Sequence, residues 1–154
     1  TSIGIQASTV TINVSGGTPP YQYSLDGGPY QNSNVFTNVT LGNHTVYVQS
    51  GSCTPISMNF SLIKVTNFIS PNGDGINDVF DLSELKNKTN PSVLIFDRFG
   101  KIIFSGSEAN NFIWNGKHNE IKLPTGSYWY KIEWTEPHNT NKVTITESIL
   151  LKNN

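Results

Sequence analysis

The sequence predicts an all-β protein made of two β-sandwich domains in tandem, and three observations carry that expectation. Apolar residues recur at every second position along most of the chain, with β-branched and aromatic types prominent, which is the pattern of half-buried strands. Clusters of Gly, Pro, Asn and Asp break the pattern at short intervals, as turns between strands do. Charge is divided unevenly along the 154 residues: all ten Lys and Arg, and ten of the eleven Asp and Glu, lie from Lys64 onward, so Asp26 is the one charged side chain of residues 1–63. That step puts the joint near 63–66 and the two domains at 1–63 and 64–154.

Taken in order, Val10, Ile12 and Val14 alternate with Thr9, Thr11 and Asn13; Val46 and Val48 alternate within 44–49; and Met58, Phe60 and Leu62 alternate with Ser57, Asn59 and Ser61. Turn chemistry at 16–20 (GGTPP), 26–29 (DGGP) and 41–43 (LGN) separates these runs. In the second part, residues 92–97 (SVLIFD) and 101–105 (KIIFS) flank Arg98-Phe99-Gly100, which reads as a tight hairpin. The continuous apolar run from Val93 to Phe96 predicts a strand buried on both faces. Tyr128, Tyr130, Ile132 and Trp134 alternate with polar residues and Trp129, and Val143, Ile145, Ile149 and Leu151 form a last strand. Residues 136–141 (EPHNTN) join these two strands as a polar loop, and the one helical turn expected lies at 82–86.

Composition excludes several classes. Aromatic residues at 11% supply a core, so wholesale disorder is not expected. A net charge of −1 with Arg98 as the only Arg offers no basic face for nucleic acid. A single cysteine, Cys53, rules out an intrachain disulfide and any multi-cysteine zinc site, and it reads as a small buried hydrophobe. No apolar run approaches the ~20 residues that cross a bilayer as a helix. No signal peptide opens the chain, so a secreted reading expects a C-terminal fragment of a longer protein. The triplets at Asn13, Asn38, Asn43, Asn59 and Asn87 match a glycosylation acceptor, but a chain so rich in Asn and Thr produces such matches by chance.

Four motifs stand in order in the second part: residues 69–80 (ISPNGDGINDVF), 95–101 (IFDRFGK), 114–116 (WNG) and 123–130 (LPTGSYWY). Their order and spacing resemble the gliding motility-associated C-terminal domain, the type B sorting domain of the type IX secretion system, over residues 66–152. The family usually has Asn and Trp around the hairpin Arg, where this chain has Asp97 and Phe99. It has Asp after the motif Trp, where Asn115 stands, and its last strand tends to end on Arg, where Lys152 is followed by Asn153 and Asn154. Residues 16–53, with GGTPPYQYSLDGG and LGNHTVYVQSGSC, are similar to a short repeat of gliding-associated surface adhesins, which stacks as immunoglobulin-like modules. Together the resemblances imply two immunoglobulin-like β-sandwich domains in tandem, an adhesin-repeat-like one followed by a type B sorting domain. They imply export of a secreted or cell-surface protein through the periplasm and outer membrane, with outer-membrane components of the type IX translocon as partners and no enzymatic activity.

One constellation invites a metal. Ser70, Asn72, Asp74, Ile76, Asp78 and Asp81 occupy positions 1, 3, 5, 7, 9 and 12 of a calcium loop, with Gly75 at the sharp turn. Ser at the first position, the short Asp at the last and the missing following helix depart from that pattern. A cation-free turn in which Asn72, Asp74 and Asp78 bond their own backbone stands beside it. Arg98 at the hairpin tip is suited to a bidentate contact with an acidic or carbonyl-rich partner, or to bracing Asp97 or a neighbouring strand; Phe99 and Lys152 are the other candidate partner-binding residues. Tyr128, Trp129 and Tyr130 read as core plus one exposed ring rather than as a sugar platform. His44, His118 and His138 lie in polar contexts without ligand spacing, and no nucleophile or phosphate-cradling motif is present. The competing functions are therefore a sorting module, a calcium-stabilised adhesin or structural module, and a carbohydrate-binding module.

Overall fold

The computed structural model describes residues 1–136 and 141–153. Residues 137–140, which include His138 and most of the expected polar loop, and Asn154 lie outside the described residues. Every extended element is a β-strand, and among the described residues the only helical segments are two short 3-10 turns. The chain divides into two compact units, one comprising Thr1–Ile63 with Thr135–Thr144, the other Lys64–Trp134 with Ile145–Asn154.

The first unit holds β1 (Ser2–Gln6), β2 (Thr9–Asn13), β3 (Tyr21–Leu25), β4 (Val35–Phe36), β5 (Gly42–Ser50) and β6 (Ile56–Leu62). β1 and β2 form an antiparallel hairpin in which Ile3 faces Ile12 and Ile5 faces Val10, and β4 pairs with β2. A second antiparallel sheet runs in the order β3-β5-β6. The alternation places Ile3, Ile5, Val10 and Ile12 of one sheet and Val46, Val48, Met58 and Phe60 of the other in the core. Cys53 does not join them: it is exposed in the turn after β5, where its N–H donates to the Ser50 carbonyl at 3.0 Å, so turn geometry and not packing decides its place.

The second unit holds β7 (Phe68–Ile69), β8 (Phe80–Asp81), a 3-10 turn (Ser83–Asn87), β9 (Thr89–Phe96), β10 (Ile102–Gly106), a second 3-10 turn (Glu108–Asn110), β11 (Ile113–Trp114), β12 (Lys117–His118) and β13 (Ile121–Lys122). β14 (Gly126–Thr135) and β15 (Lys142–Leu151) complete it up to Trp134 and from Ile145. Its main sheet is ordered β10-β9-β14-β15, and β8–β11 and β12–β13 are small antiparallel pairs. The 3-10 turn at Ser83–Asn87 replaces the expected helical turn one residue later and buries Leu85. In β9, Val93 and Ile95 are buried while Leu94 and Phe96 are only half-buried, so this strand alternates instead of being covered on both faces.

The last strand is not a free edge. Besides β14, it pairs in parallel with β7, Leu150 opposite Phe68 and Leu151 opposite Ile69. The Leu150 N–H donates to the Asn67 carbonyl at 2.8 Å and the Lys152 N–H to the Ile69 carbonyl at 2.9 Å. The residues just ahead of the calcium-like loop thus cover the ladder groups that a receptor strand would need.

Candidate partner-binding site

Three of the four motifs meet in one aromatic cluster. Phe80, at the end of the first, stands opposite Trp114 of the third across β8–β11. The Phe80 ring lies 5.1 Å from Tyr130, and Trp114 meets Tyr128 edge-on at 5.8 Å, within the range where aromatic pairs attract. The Trp114 indole N–H donates to the Lys117 carbonyl at 2.9 Å, which satisfies the one polar group of that buried ring. Gly116 has a φ of 77° and is pressed between the first motif and the last strand: a Cβ there stands 2.8 Å from Leu151 Cδ1 and 3.2 Å from Pro71 Cγ. The chain end is held in turn, with the Asn153 N–H donating to Thr125 Oγ1 at 2.9 Å and its side-chain amide to the Leu123 carbonyl at 2.5 Å. Asn153 carried no signal in the sequence, because both partners come from a loop some thirty residues away.

In the Asp-rich loop the side chains turn onto the backbone. Asp78 accepts from the N–H groups of Asn72 at 3.0 Å, Gly73 at 2.9 Å and Gly75 at 2.8 Å. The N–H groups of Gly73, Gly75 and Asn72 hold the Asp78 carboxyl below its ordinary pKa. Asn72 accepts from the Asp74 N–H, Asp74 from the Ile76 N–H, and Asp81 from the Ser83 N–H, each an Asx turn. Ser70 donates its N–H to the Asn77 carbonyl, and the Ile76 side chain is 67% exposed. Among the described residues no group of three or more His, Cys, Asp or Glu is placed to hold a metal ion.

The hairpin tip is closed by its own hydrogen bonds and faces outward. The Asp97 N–H donates to the Lys101 carbonyl and the Gly100 N–H to the Asp97 carbonyl, both at 3.0 Å, with Gly100 at φ 80°, where glycine is favoured. Asp97 Oδ1 accepts from the N–H groups of Phe99 at 2.9 Å and Lys101 at 3.0 Å. Asp97 is therefore engaged by its own turn and not by the Arg98 guanidinium, which stacks on the Phe99 ring at 4.9 Å. Phe99 is 81% exposed. Beside the tip a cleft of about 370 Å³ is lined by Arg98, Phe99, Lys101, Pro124, Ser127 and Tyr128, among others. Burial raises the Tyr128 pKa, as does the nearby Asp97 charge, against the smaller opposite effect of Arg98; its hydroxyl donates to the Pro124 carbonyl at 2.8 Å. Lys101 and Ser127 were not singled out in the sequence; the hairpin and the 123–130 motif bring them together.

The remaining candidates fall elsewhere. Lys152 is exposed at the end of β15. Trp129 is 43% exposed between buried Tyr128 and Tyr130, so it is one ring and no platform. His118 is on β12, with Nδ1 donating to the Ile103 carbonyl at 2.8 Å. His44 is not in a solvated loop: it is 9% exposed on β5, with Nδ1 at 2.8 Å from Asp26 Oδ2 and Nε2 at 2.8 Å from the Thr40 carbonyl. Both ring nitrogens face acceptors, so the geometry calls for an imidazolium.

Compared with known proteins, residues 63–150 match the family described as CHU_C type IX secretion signal domain, and residues 8–29 match the SprB repeat. No curated protein matches the chain.

Proposed function

The chain belongs to the CHU_C type IX secretion signal domain family, and on that premise we propose that its signal is read as a folded surface, centred on Arg98 and Phe99, by an outer-membrane component of the type IX translocon. Its role is that of a sorting signal for type IX export, and with the SprB repeat it marks a secreted or cell-surface protein. The observation that carries the proposal is the bonded tip: a cation and an 81% exposed aromatic ring are held out on a turn whose backbone bonds are all local. Ordering before contact lowers the entropic cost of docking. Lys152, exposed where the last strand ends, is the third residue of this reading. The antiparallel pairing of the first unit supports an immunoglobulin-like, adhesin-type module, and the ladder β10-β9-β14-β15 supports the same class of sandwich in the second.

The test is to fuse the 154-residue chain behind a signal peptide and a fluorescent reporter, in a host with a working type IX system. Reporter outside the cell for the unaltered chain, and reporter retained in the periplasm for Arg98→Ala with Phe99→Ala, is the expected pair of results. Retention of the unaltered chain, beside an exported type B control, refutes the sorting reading.

A further inference from the structure

We infer that the cleft beside the hairpin tip takes a side-chain carboxylate, Asp or Glu, from an extended segment of a protein partner, with a neighbouring apolar side chain packed on Phe99. The inference rests on the sorting reading for the partner's being export machinery, but its chemistry rests on the cleft alone. Arg98 and Lys101 bring two cations to its wall, and neither forms an ion pair among the described residues. The one carboxylate of the lining, Asp97, has Oδ1 saturated by the N–H groups of Phe99 and Lys101. Ser127 is exposed at the rim and adds a hydroxyl donor. The lining thus carries two cations against one carboxylate, and charge complementarity selects an anion. Arg98 Cζ lies 4.9 Å from the centre of the Phe99 ring, and the planar fork of a guanidinium suits a bidentate contact with a carboxylate. Phe99, Pro124 and the body of Tyr128 give the same cleft an apolar wall, which a free inorganic anion would not use.

Strand addition is not the mode. β10 ends the sheet order of this unit, but its outward carbonyls are occupied: Ile103 accepts from His118 Nδ1 at 2.8 Å and Ser105 from the Asn110 side-chain amide at 2.9 Å. A partner segment crossing the tip therefore finds side-chain donors and not an open ladder.

The experiment titrates the full chain, by two-dimensional amide NMR, with an end-blocked pentapeptide Gly-Glu-Leu-Glu-Gly and with its Gln-for-Glu counterpart. The Glu peptide is expected to shift the amides of 97–101 and 125–128 and to bind more weakly as salt rises. The Gln peptide is expected to bind at least about tenfold more weakly, one charge-assisted contact being worth that much. Equal affinity of the two peptides, shifts confined to other residues, or no shift at millimolar peptide overturns the inference, with no dependence on whether a variant folds. In the reporter fusion, Arg98→Glu with Lys101→Glu is expected to be retained while the tryptophan-detected melt is unchanged. Full export of that variant overturns the cleft and leaves the sorting role standing. Retention of the unaltered chain overturns the sorting role, and the peptide titration then decides the cleft by itself.

Discussion

Replacing Gly116 by Ala tests whether the motifs are held together by close packing. Two costs add. At φ 77° a Cβ brings left-handed strain of roughly 1–2 kcal/mol. The same Cβ stands 2.8 Å from Leu151 Cδ1 and 3.2 Å from Pro71 Cγ. Leu151 is fully buried and Pro71 is a ring, so neither swings clear, and overpacking of this kind costs about 1–3 kcal/mol. The sum is about 2–5 kcal/mol, a large part of the ~5–15 kcal/mol by which a domain is stable. Gly100→Ala is the control: φ is 80° and nothing lies within 4 Å of the added Cβ, so strain acts without packing. Both variants share the entropic gain of Gly→Ala in the unfolded chain, roughly 0.4–1 kcal/mol, and it cancels in the comparison. Urea unfolding followed by tryptophan fluorescence reads the right unit, because Trp114, Trp129 and Trp134 all lie in Lys64–Trp134. Gly116→Ala is expected to lower the midpoint by about 1–2 M and Gly100→Ala by clearly less. Equal midpoints for the two variants would show that the contact of Gly116 with Pro71 and Leu151 is loose and refute the reasoning.

Three further outcomes are expected. Asp78→Ala should lower the melting temperature of the second unit by releasing three backbone N–H groups. Because the Asp78 pKa is depressed in the folded chain, its contribution is complete above the ordinary carboxylate value and fades as pH falls through the folded one, so the difference from the unaltered chain should close in acid. His44 is pulled down by burial but raised on balance by the Asp26 carboxylate and the Thr40 carbonyl, and Asp26 is lowered on balance by His44 and the Thr45 N–H despite its own desolvation. The pair therefore stabilises fully between the ordinary values of 3.8 and 6.5; the His44 part is lost as pH rises through its folded pKa, and His44→Gln should flatten that limb in circular-dichroism melts. Because the Asp-rich loop is closed by its own backbone bonds, excess calcium and chelator should give the same melting temperature; a rise, about 2.7 kcal/mol at a hundred times Kd, would make the loop a cation site.

The strands and the hairpin were legible because their signals are local. Alternation in β2, β5, β6, β14 and β15 depends on neighbours two residues apart, and the Arg98 turn declares itself by Gly100. What escaped was set by distant partners. His44 sits among Asn43 and Thr45, which look solvated, and its burial follows from Asp26, eighteen residues earlier. The second partner of the final strand is not legible, because β7 is only two residues long, too short for any periodicity to show. Of the cleft, Arg98 and Phe99 were visible as a tip, whereas Lys101 and Ser127 acquire meaning only when the hairpin and the 123–130 loop meet.

Burial separates what the motifs do for the fold from what they offer a partner. Ile69, Phe80, Trp114, Tyr128 and Tyr130 are at most 6% exposed, so a receptor cannot touch them while the unit is folded. Gly116 and Thr125 act on the end of the chain, through the fit against Leu151 and the bonds to Asn153. Most of the ordered pattern therefore encodes one core and the closure of its last strand. With Leu150 and Leu151 paired on both sides, that strand has no ladder left to donate at its end. On the proposed reading recognition falls to side chains that the core holds outward, and in the four motifs the hairpin tip is where a cation and an exposed ring stand together. A receptor that reads this tip reads the folded state itself, since the turn is anchored in β9 and β10, and a chain that has not closed its core presents no fixed Arg98–Phe99 pair.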